Sequence, residues 1–136
     1  MKRVLSLISL VSLLMISFSS CKKEDSFSVS GKTFAAFGYH ADSFTYGIIH
    51  YDGYDAYYVL RFISETTAER STREGNASGR IIGDMEDCKV TINYPLITIS
   101  YMSRGTQYTE SGAFLDKTKF RLTSSNGKVT SEYILQ

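Results

Sequence analysis

The sequence predicts an all-β domain, an antiparallel up-and-down meander of about eight to ten strands that closes into a small barrel. Two observations favour this fold. From about Phe27 onward, apolar and polar residues alternate with a period of two and show almost no helical periodicity. Gly, Asn, Asp and Ser recur at intervals of roughly ten residues, and neighbouring hairpins without long crossovers are typical of a meander. A Greek-key β-sandwich is the alternative.

The alternating segments assign the strands in order along the chain. A first strand follows Gly31, and turn-forming clusters separate the later ones. Segment 66–73 is polar on both faces, so we expect it to extend past the core, with residues 74–79 as its loop. After the first, the predicted strands cover residues 44–51, 54–63, 66–73, 80–82, 89–94, 96–102, 107–114, 119–123 and 129–135.

Three short sequences predict how these strands are connected. Pro95, the only proline, cannot donate a hydrogen bond to a strand ladder and therefore marks a turn. Asp52-Gly53 and Asn126-Gly127 are typical of type I′ hairpins, in which both central residues need a positive φ. We expect a sharp reversal of the chain at each of these dipeptides.

The first 20 residues have the pattern of a signal peptide rather than of folded structure. Lys2 and Arg3 precede an apolar run of about 15 residues, which is shorter than the roughly 20 that a membrane-spanning helix needs. The run ends in two serines and Cys21, which resembles the lipobox of bacterial lipoproteins, where cleavage leaves a lipidated cysteine as the first residue. We therefore expect a signal peptide at 1–20, an acylated N-terminus and linker at 21–30, and the barrel domain at 31–136.

Acylation of Cys21 would decide where the protein resides. Each buried methylene of an acyl chain such as palmitate contributes about 0.8 kcal/mol, so two or three chains hold a protein stably at a membrane. No aspartate follows Cys21 directly, and Lys22-Lys23-Glu24-Asp25 resembles the surface-export tag of some Gram-negative lipoproteins. We expect an anchor in the outer membrane, on the cell surface or in the periplasmic leaflet.

Composition and cysteine content exclude several other classes. The 15 Lys and Arg nearly balance the 14 Asp and Glu, so the chain has no general attraction to nucleic acid. The 10 tyrosines and 8 phenylalanines are too many for a disordered chain. Acylation of Cys21 would leave Cys88 as the one remaining thiol, so we expect no intrachain disulfide and assign Cys88 to the core.

Together, the lipobox, the opening Gly31-Lys32-Thr33-Phe34 and the meander resemble the small lipocalin-like lipoproteins of Gram-negative gut bacteria. Lipocalins begin their first strand with a glycine and, shortly after it, a tryptophan that plugs the floor of the barrel. The resemblance places Phe34 in that role, because this chain has no tryptophan. It implies a barrel that binds a small apolar molecule without catalysis.

Aromatic residues concentrate between Tyr39 and Phe62 and suggest a ligand pocket. Tyrosine combines a flat apolar face with a hydroxyl group, a combination that suits small-molecule pockets. Packing between strands is the alternative, since aromatic pairs stabilise sheets by roughly 0.2–1 kcal/mol each without any ligand. By alternation, the predicted ligand-binding residues on one face of segments 44–51 and 54–63 are Phe44, Tyr46, Ile48, His50, Tyr58, Leu60 and Phe62.

No pattern in the sequence predicts catalysis, a metal site or a cofactor. His40 and His50 have no Cys or carboxylate at metal-ligand spacing. No nucleophile turn accompanies His50, so a catalytic role has no support. Asp84, Glu86 and Asp87 lack the spacing of a calcium loop and are better explained as a solvated acidic turn.

We therefore expect a non-enzymatic, lipid-anchored envelope protein whose barrel binds a small hydrophobic or amphipathic ligand. Two other functions stay open at this point. The strands around Tyr51 and Tyr57 are apolar on both faces, which favours a protein-interaction or inhibitor module of a surface complex. Exposed tyrosines would also suit a carbohydrate-binding domain.

Overall fold

A computed structural model describes residues 26–136, and these form β-strands without a helix. The predicted signal peptide and Cys21 lie outside the described residues. Eight strands form a closed antiparallel barrel in the order β1-β10-β9-β8-β7-β6-β5-β4, and β2 and β3 form a separate sheet, which confirms the predicted meander barrel. The strands are β1 (Thr33–Ala41), β2 (Phe44–Tyr46), β3 (Ile49–Tyr51), β4 (Tyr54–Phe62), β5 (Thr67–Glu74), β6 (Glu86–Asn93), β7 (Leu96–Ser103), β8 (Thr106–Asp116), β9 (Lys119–Ser124) and β10 (Thr130–Leu135).

Strand β1 closes the barrel by pairing with two strands at once. Phe34 lies opposite Leu60 of β4 on one side and opposite Leu135 of β10 on the other. The remaining barrel strands pair with their neighbours in sequence, so the barrel has no open edge. A Greek-key sandwich is excluded, because it needs two separate sheets connected by strands that cross between them.

The connections between strands define the two ends of the barrel. Phe27 and Val29 lead into β1 at one end, which we name the sealed end, and the connections β4–β5, β6–β7 and β8–β9 lie there too. The turn predicted at Pro95 is confirmed as the β6–β7 connection. The opposite end, which we name the cavity end, has the connections β5–β6, β7–β8 and β9–β10, and the β2–β3 hairpin between β1 and β4.

The single strand predicted at 44–51 and the hairpin predicted at Asp52-Gly53 are wrong. The chain reverses at Gly47, whose φ of 62° lies in the left-handed region, and this turn separates β2 from β3. Gly53 instead lies between β3 and β4, where a Cβ would come within 2.8 Å of the carbonyl oxygen of Ala41. Glycine at position 53 therefore provides space for a neighbouring backbone rather than a positive φ.

The hairpin predicted between β9 and β10 is confirmed, but its turn is not of type I′. The connection spans residues 125–128, and Gly127 has a positive φ of 69° that Asn126 does not share. A type I′ turn needs two successive residues with positive φ. That combination occurs instead at Arg104-Gly105, with φ values of 49° and 79°, where β7 reverses into β8.

Strand β5 lies in the barrel wall along its whole length, so the expectation that segment 66–73 extends past the core is wrong. Ala68 belongs to the buried core, and Arg70 contributes to the lining of the barrel interior. Ser71 on the outer face is also buried, and the Nε of Arg73 donates to its hydroxyl at 3.2 Å. The short strand predicted at 80–82 is reduced to a single bridge between Arg73 and Ile81.

Phenylalanine rings fill the half of the interior next to the sealed end, which we name the sealed half. Phe120 is fully buried, and its ring centroid lies 5.0 Å from those of Phe34 and Phe114 and 6.3 Å from that of Phe62. Phe27 packs edge-on against Phe114 with ring centroids 4.6 Å apart. Burial of each such side chain stabilises the fold by about 1.5–3 kcal/mol relative to leaving it exposed.

Hydrogen bonds to Glu65 hold the N-terminal segment across the sealed end. The carboxylate accepts from the hydroxyl of Ser28 and from the backbone N–H groups of Val29 at 3.2 Å and Ser30 at 3.1 Å. These bonds, above all that from Ser28, lower the pKa of Glu65 and outweigh the opposing effect of desolvation. The segment before β1 is therefore fixed to the β4–β5 connection.

Candidate functional site

The side chains that point into the barrel change character from one end to the other. Glu110 lies opposite the core residue Ile99 in the β7–β8 pair and therefore faces inward. Arg70 is two residues from the core residue Ala68 on β5 and shares its inward face. The half of the interior near the cavity end, which we name the cavity half, therefore contains charged groups.

A cavity of about 250 Å³ lies among these inward side chains at the cavity end. Its wall combines tyrosine rings, the charged groups of Arg70 and Glu110, and hydroxyl and amide groups at the β9–β10 connection. Apolar walls with a few convergent polar groups are typical of ligand sites. The lining residues are Tyr58, Arg70, Tyr101, Tyr108, Thr109, Glu110, Leu122, Ser124, Ser125, Asn126, Val129, Ser131 and Tyr133.

Arg70 is held on three sides within this wall. Its Nη1 donates to Oε2 of Glu86 at 2.9 Å, and its guanidinium lies 5.1 Å from the ring centroid of Tyr58 and 4.6 Å from that of Tyr101. Such an ion pair fixes geometry, and aromatic faces attract the cation. Burial alone would lower the pKa of Arg70, but Tyr101, Tyr133 and the nearby carboxylates raise it overall, so Arg70 stays charged.

Glu110 is the second inward carboxylate of the cavity half. Its Oε1 accepts a hydrogen bond of 2.8 Å from the hydroxyl of Tyr101, whose ring stacks on Tyr108 with centroids 5.6 Å apart. Burial raises the pKa of Tyr101, and Glu110 raises it further, whereas Arg70 opposes the shift. Tyr101 therefore stays protonated and remains the donor in this bond.

Tyr133 and Cys88 are buried beside the cavity and carry no charge at neutral pH. The ring of Tyr133 stacks on Phe120 at 5.1 Å, and burial raises the pKa of its hydroxyl. Burial raises the pKa of the Cys88 thiol to about 12. Cys88 lies in the hydrophobic core as predicted, and a neutral buried thiol is a poor nucleophile.

The structure separates the seven predicted ligand-binding residues. Tyr58 lines the cavity, but Leu60 and Phe62 lie below it in the packed core. The other four do not face the barrel interior as the alternation suggested, because their segment forms the β2–β3 sheet outside the barrel. These exposed residues are Phe44, Tyr46, Ile48 and His50. Ligand binding by any of the seven stays a prediction.

Most of the residues that line the cavity are not among the predicted ligand-binding residues. Arg70 lies on a strand whose sequence is mostly polar on both faces, and Glu110 is one of several polar residues on β8. Alternation along β8 could have indicated that Glu110 faces inward. Residues an even number of positions apart share one face of a strand, and Glu110 lies four positions before the apolar Phe114. Glu86 was assigned to a solvated acidic turn, which is wrong, since its side chain is 9% exposed and is paired with Arg70.

A second feature is the β2–β3 hairpin itself, which we name the aromatic hairpin. The rings of Phe44 and Tyr51 stack at 4.6 Å on one face, and Ile48 at its tip is fully exposed. Tyr46 is 78% exposed. Large apolar side chains that cluster on a surface indicate an interaction site.

Within residues 26–136, no three His, Cys, Asp or Glu side chains come together as a metal site. His40 faces Asp55, with Nδ1 and Oδ1 2.7 Å apart, and His50 faces Thr45, with Nδ1 and Oγ1 3.0 Å apart. Neither histidine lines the cavity. The same part of the chain has no helix that is long and apolar enough to span a bilayer.

Comparisons of the chain with protein-family models, with curated proteins and with solved structures find no significant match.

Proposed function

We propose that this protein is a non-catalytic binding protein of the bacterial cell envelope, anchored by lipid at Cys21, that takes a small amphipathic ligand into its barrel. The observation that carries the proposal is the cavity of about 250 Å³ in a barrel whose other half is filled by side chains. Protein interiors are otherwise packed to the density of organic crystals. Unfilled space with tyrosine walls therefore supports a binding role.

The size and lining of the cavity favour a particular kind of ligand. Pockets for drug-sized molecules have volumes of roughly 300–1,000 Å³, so a cavity of about 250 Å³ suits a smaller molecule. A wholly apolar ligand would cover Glu110 and the hydroxyl group of Ser131 without replacing their hydrogen bonds to water. An amphipathic ligand can satisfy these groups with its polar end and contact the tyrosine rings with its apolar end.

The proposed anchor is compatible with an accessible cavity. Cys21 precedes Phe27 by six residues, and Phe27 packs on Phe114 at the sealed end. An acyl anchor at Cys21 would therefore keep the sealed end nearest to the membrane. The cavity end would then face away from the bilayer, where a ligand can enter.

Binding can be tested with a variant that fills the cavity. The chain has no tryptophan, so the fluorescence of the four lining tyrosines reports binding directly when small amphipathic molecules are titrated. Ser131→Phe places a ring in the cavity and should abolish saturable binding. Thr130→Phe, one residue earlier on the exposed outer face, is the matched control and should bind as the parent does. Saturable binding that survives in Ser131→Phe would refute a site in the cavity.

The anchor needs its own experiment. Cells that express the full chain should incorporate labelled palmitate into the mature protein and retain it in the outer-membrane fraction. Cys21→Ala should lose both the label and the membrane association. Membrane retention of unlabelled Cys21→Ala would contradict the proposed anchor.

A second candidate function, a protein-interaction module, is favoured by the aromatic hairpin. Between Lys32 and Arg61 the chain has no Lys or Arg but contains Asp42, Asp52 and Asp55. The exposed apolar tip is therefore flanked by negative charge. Charge complementarity favours a protein partner with an apolar patch and basic residues around it, and it disfavours an anionic lipid surface.

Photo-crosslinking in cells tests this second function. A crosslinking residue at Ile48 should give one discrete adduct with a protein that has a basic surface. The same residue at Ile134, which is half exposed on the barrel wall, is the control and should not give that adduct. An adduct of equal yield from both positions, or none from Ile48, would exclude the hairpin as an interface.

A further inference from the structure

Negative charges outnumber positive charges in the cavity half, and this net negative charge indicates the ligand class. Arg70 and Glu86 form an ion pair, with Nη1 and Oε2 2.9 Å apart. Glu110 is the other charged residue in the cavity lining; it forms no direct ion pair among the described residues, although its charge interacts with that of Arg70. At the rim, Asp84 and Arg104 carry opposite charges and lie together in a neighbouring groove. The cavity half therefore has one carboxylate in excess.

Arg70 is poorly placed to receive an anionic ligand. Glu86 binds one edge of the guanidinium, which also lies 5.1 Å from the ring centroid of Tyr58 and 4.6 Å from that of Tyr101. Its Nε has no hydrogen-bond partner among the described residues, but it has almost no exposed surface, so a ligand in the cavity does not reach it. An anionic head would also approach the carboxylate of Glu110, which disfavours it further.

Glu110, in contrast, has acceptor capacity to spare. An ionised carboxylate offers about four lone-pair sites, and the hydroxyl of Tyr101 uses one of them. Ser124 lies directly opposite Glu110 in the β8–β9 pair; its hydroxyl donates to Oδ1 of Asn126 at 2.6 Å and accepts from the N–H of Val129 at 3.2 Å, which leaves one lone pair as a further acceptor. Tyr108 adds an aromatic ring to the same wall, and such rings attract organic cations.

We propose that the ligand is a small organic cation, a protonated amine with an apolar body, whose ammonium group is bound by Glu110 and whose body contacts the tyrosine rings of the cavity. This inference rests on the proposed function, because it names the ligand class of the same cavity. Size strengthens it, since about 250 Å³ holds a short aralkyl amine but not a long acyl chain.

Three probes that share one apolar body separate the charge preference from binding itself. Phenethylamine is cationic, 2-phenylethanol is neutral and 3-phenylpropionate is anionic at neutral pH. Each is titrated by calorimetry into the full acylated protein in phosphatidylcholine nanodiscs, with empty nanodiscs as the blank. We expect phenethylamine to bind at least about tenfold more tightly than 2-phenylethanol, as a charge-assisted hydrogen bond predicts, and 3-phenylpropionate to bind most weakly.

Two glutamine variants assign the effect to one carboxylate. Glu110→Gln keeps an acceptor for the hydroxyl of Tyr101 but removes the charge, so amine affinity should fall about ten- to hundredfold while 2-phenylethanol binding is unchanged. Glu132→Gln removes an exposed carboxylate that pairs with Arg121 on the outer face, and it should bind every probe as the parent does.

The outcomes separate this inference from the proposed function. If 2-phenylethanol or 3-phenylpropionate binds as tightly as phenethylamine and Ser131→Phe abolishes that binding, the cation preference is overturned and the cavity remains a binding site. An unchanged amine affinity in Glu110→Gln also overturns the preference. If no probe binds, both the preference and a cavity for small amphipathic molecules of this size are overturned.

Discussion

The two halves of the barrel share one wall but are filled in opposite ways. In the sealed half, Phe120 packs between Phe34 and Phe114 with centroid distances of 5.0 Å. In the cavity half, the same set of strands turns Arg70 and Glu110 inward around a cavity of about 250 Å³. Apolar rings need only complementary shape to pack together. Buried polar groups also need specific hydrogen-bond partners, and the interior stays open where such groups surround a cavity. The sealed half therefore holds the packed core, and the cavity half holds the open space and the buried charged groups.

The largest predicted effect would come from emptying the sealed half. Phe120→Ala removes a fully buried ring from a packed cluster and should lower the free energy of unfolding by about 3–5 kcal/mol. Urea unfolding followed by circular dichroism measures the change. Phe44→Ala in the aromatic hairpin removes the same ring from an exposed site and should change stability by less than about 0.5 kcal/mol. Equal losses in the two variants would contradict the assigned roles.

The next effect tests whether the charges of the cavity half are truly paired. Glu86→Ala leaves the guanidinium of Arg70 buried without its ion-pair partner and should cost about 3 kcal/mol of unfolding free energy. Replacing both partners, with Arg70→Met and Glu86→Leu together, should recover most of this loss, because no unpaired charge remains. A loss below about 1 kcal/mol in Glu86→Ala would mean that water already solvates Arg70, and the cavity half would then be wetter than the structure indicates.

A third prediction concerns pH and the boundary between the halves, where Cys88 lies. Burial raises the pKa of its thiol from the ordinary value of 9.0 to about 12 in the folded protein. The neutral thiol is therefore favoured by folding, and this stabilisation is complete below pH 9 and is lost as the pH rises from 9 towards 12. Cys88→Ala should flatten the loss of stability over that interval, as measured by urea unfolding at successive pH values.

The same thiol can be probed chemically at pH 8. Iodoacetamide reacts with the thiolate, and a rise in pKa of about three units lowers the thiolate fraction roughly a thousandfold. We expect Cys88 to be alkylated in urea but not in the folded protein over the same time. Rapid alkylation of the folded protein would place Cys88 outside the core.

The smallest effect concerns the aromatic hairpin, a third region that belongs to neither half. Ile48→Asp changes a fully exposed side chain and should leave the unfolding free energy within about 0.5 kcal/mol of the parent. A loss above 2 kcal/mol would show that the hairpin packs against the barrel, and it would remove the support for an interaction surface.

The regular strands of the barrel were predictable because apolar residues lie on one face of each strand and polar residues mostly on the other. In β7, Ile97, Ile99 and Tyr101 face inward as expected, and in β9 Phe120 and Leu122 do the same. The residues between them, Thr98 and Ser100 in β7 and Arg121 in β9, are polar and face outward, so the period of two leaves one choice of face. The candidate site was less predictable, because Arg70 and Glu110 reverse this rule in the cavity half.

The segment from Phe44 to Tyr51 shows where alternation fails. Both of its faces are apolar or aromatic, so the pattern cannot distinguish an inward face from an outward one. The chain reverses at Gly47, which has a positive φ, so the segment forms the aromatic hairpin instead of one strand. Four of the predicted ligand residues therefore lie outside the barrel. The glycine itself was visible in the sequence, but nothing local distinguishes a turn there from a bulge in a strand.

The sequence by itself determined the all-β class, the position of most strands and the identity of the core, because alternation and turn residues act over a few neighbours. Only the tertiary structure decided which charged residues meet inside the barrel. Arg70 and Glu86 are direct partners in the β5–β6 pair, so the register of two neighbouring strands brings them together. Glu110 lies on β8, and it shares the interior with them because the sheet curls until β1 pairs with both β4 and β10. Which charged groups meet inside depends on that register and that closure, and no local pattern encodes either.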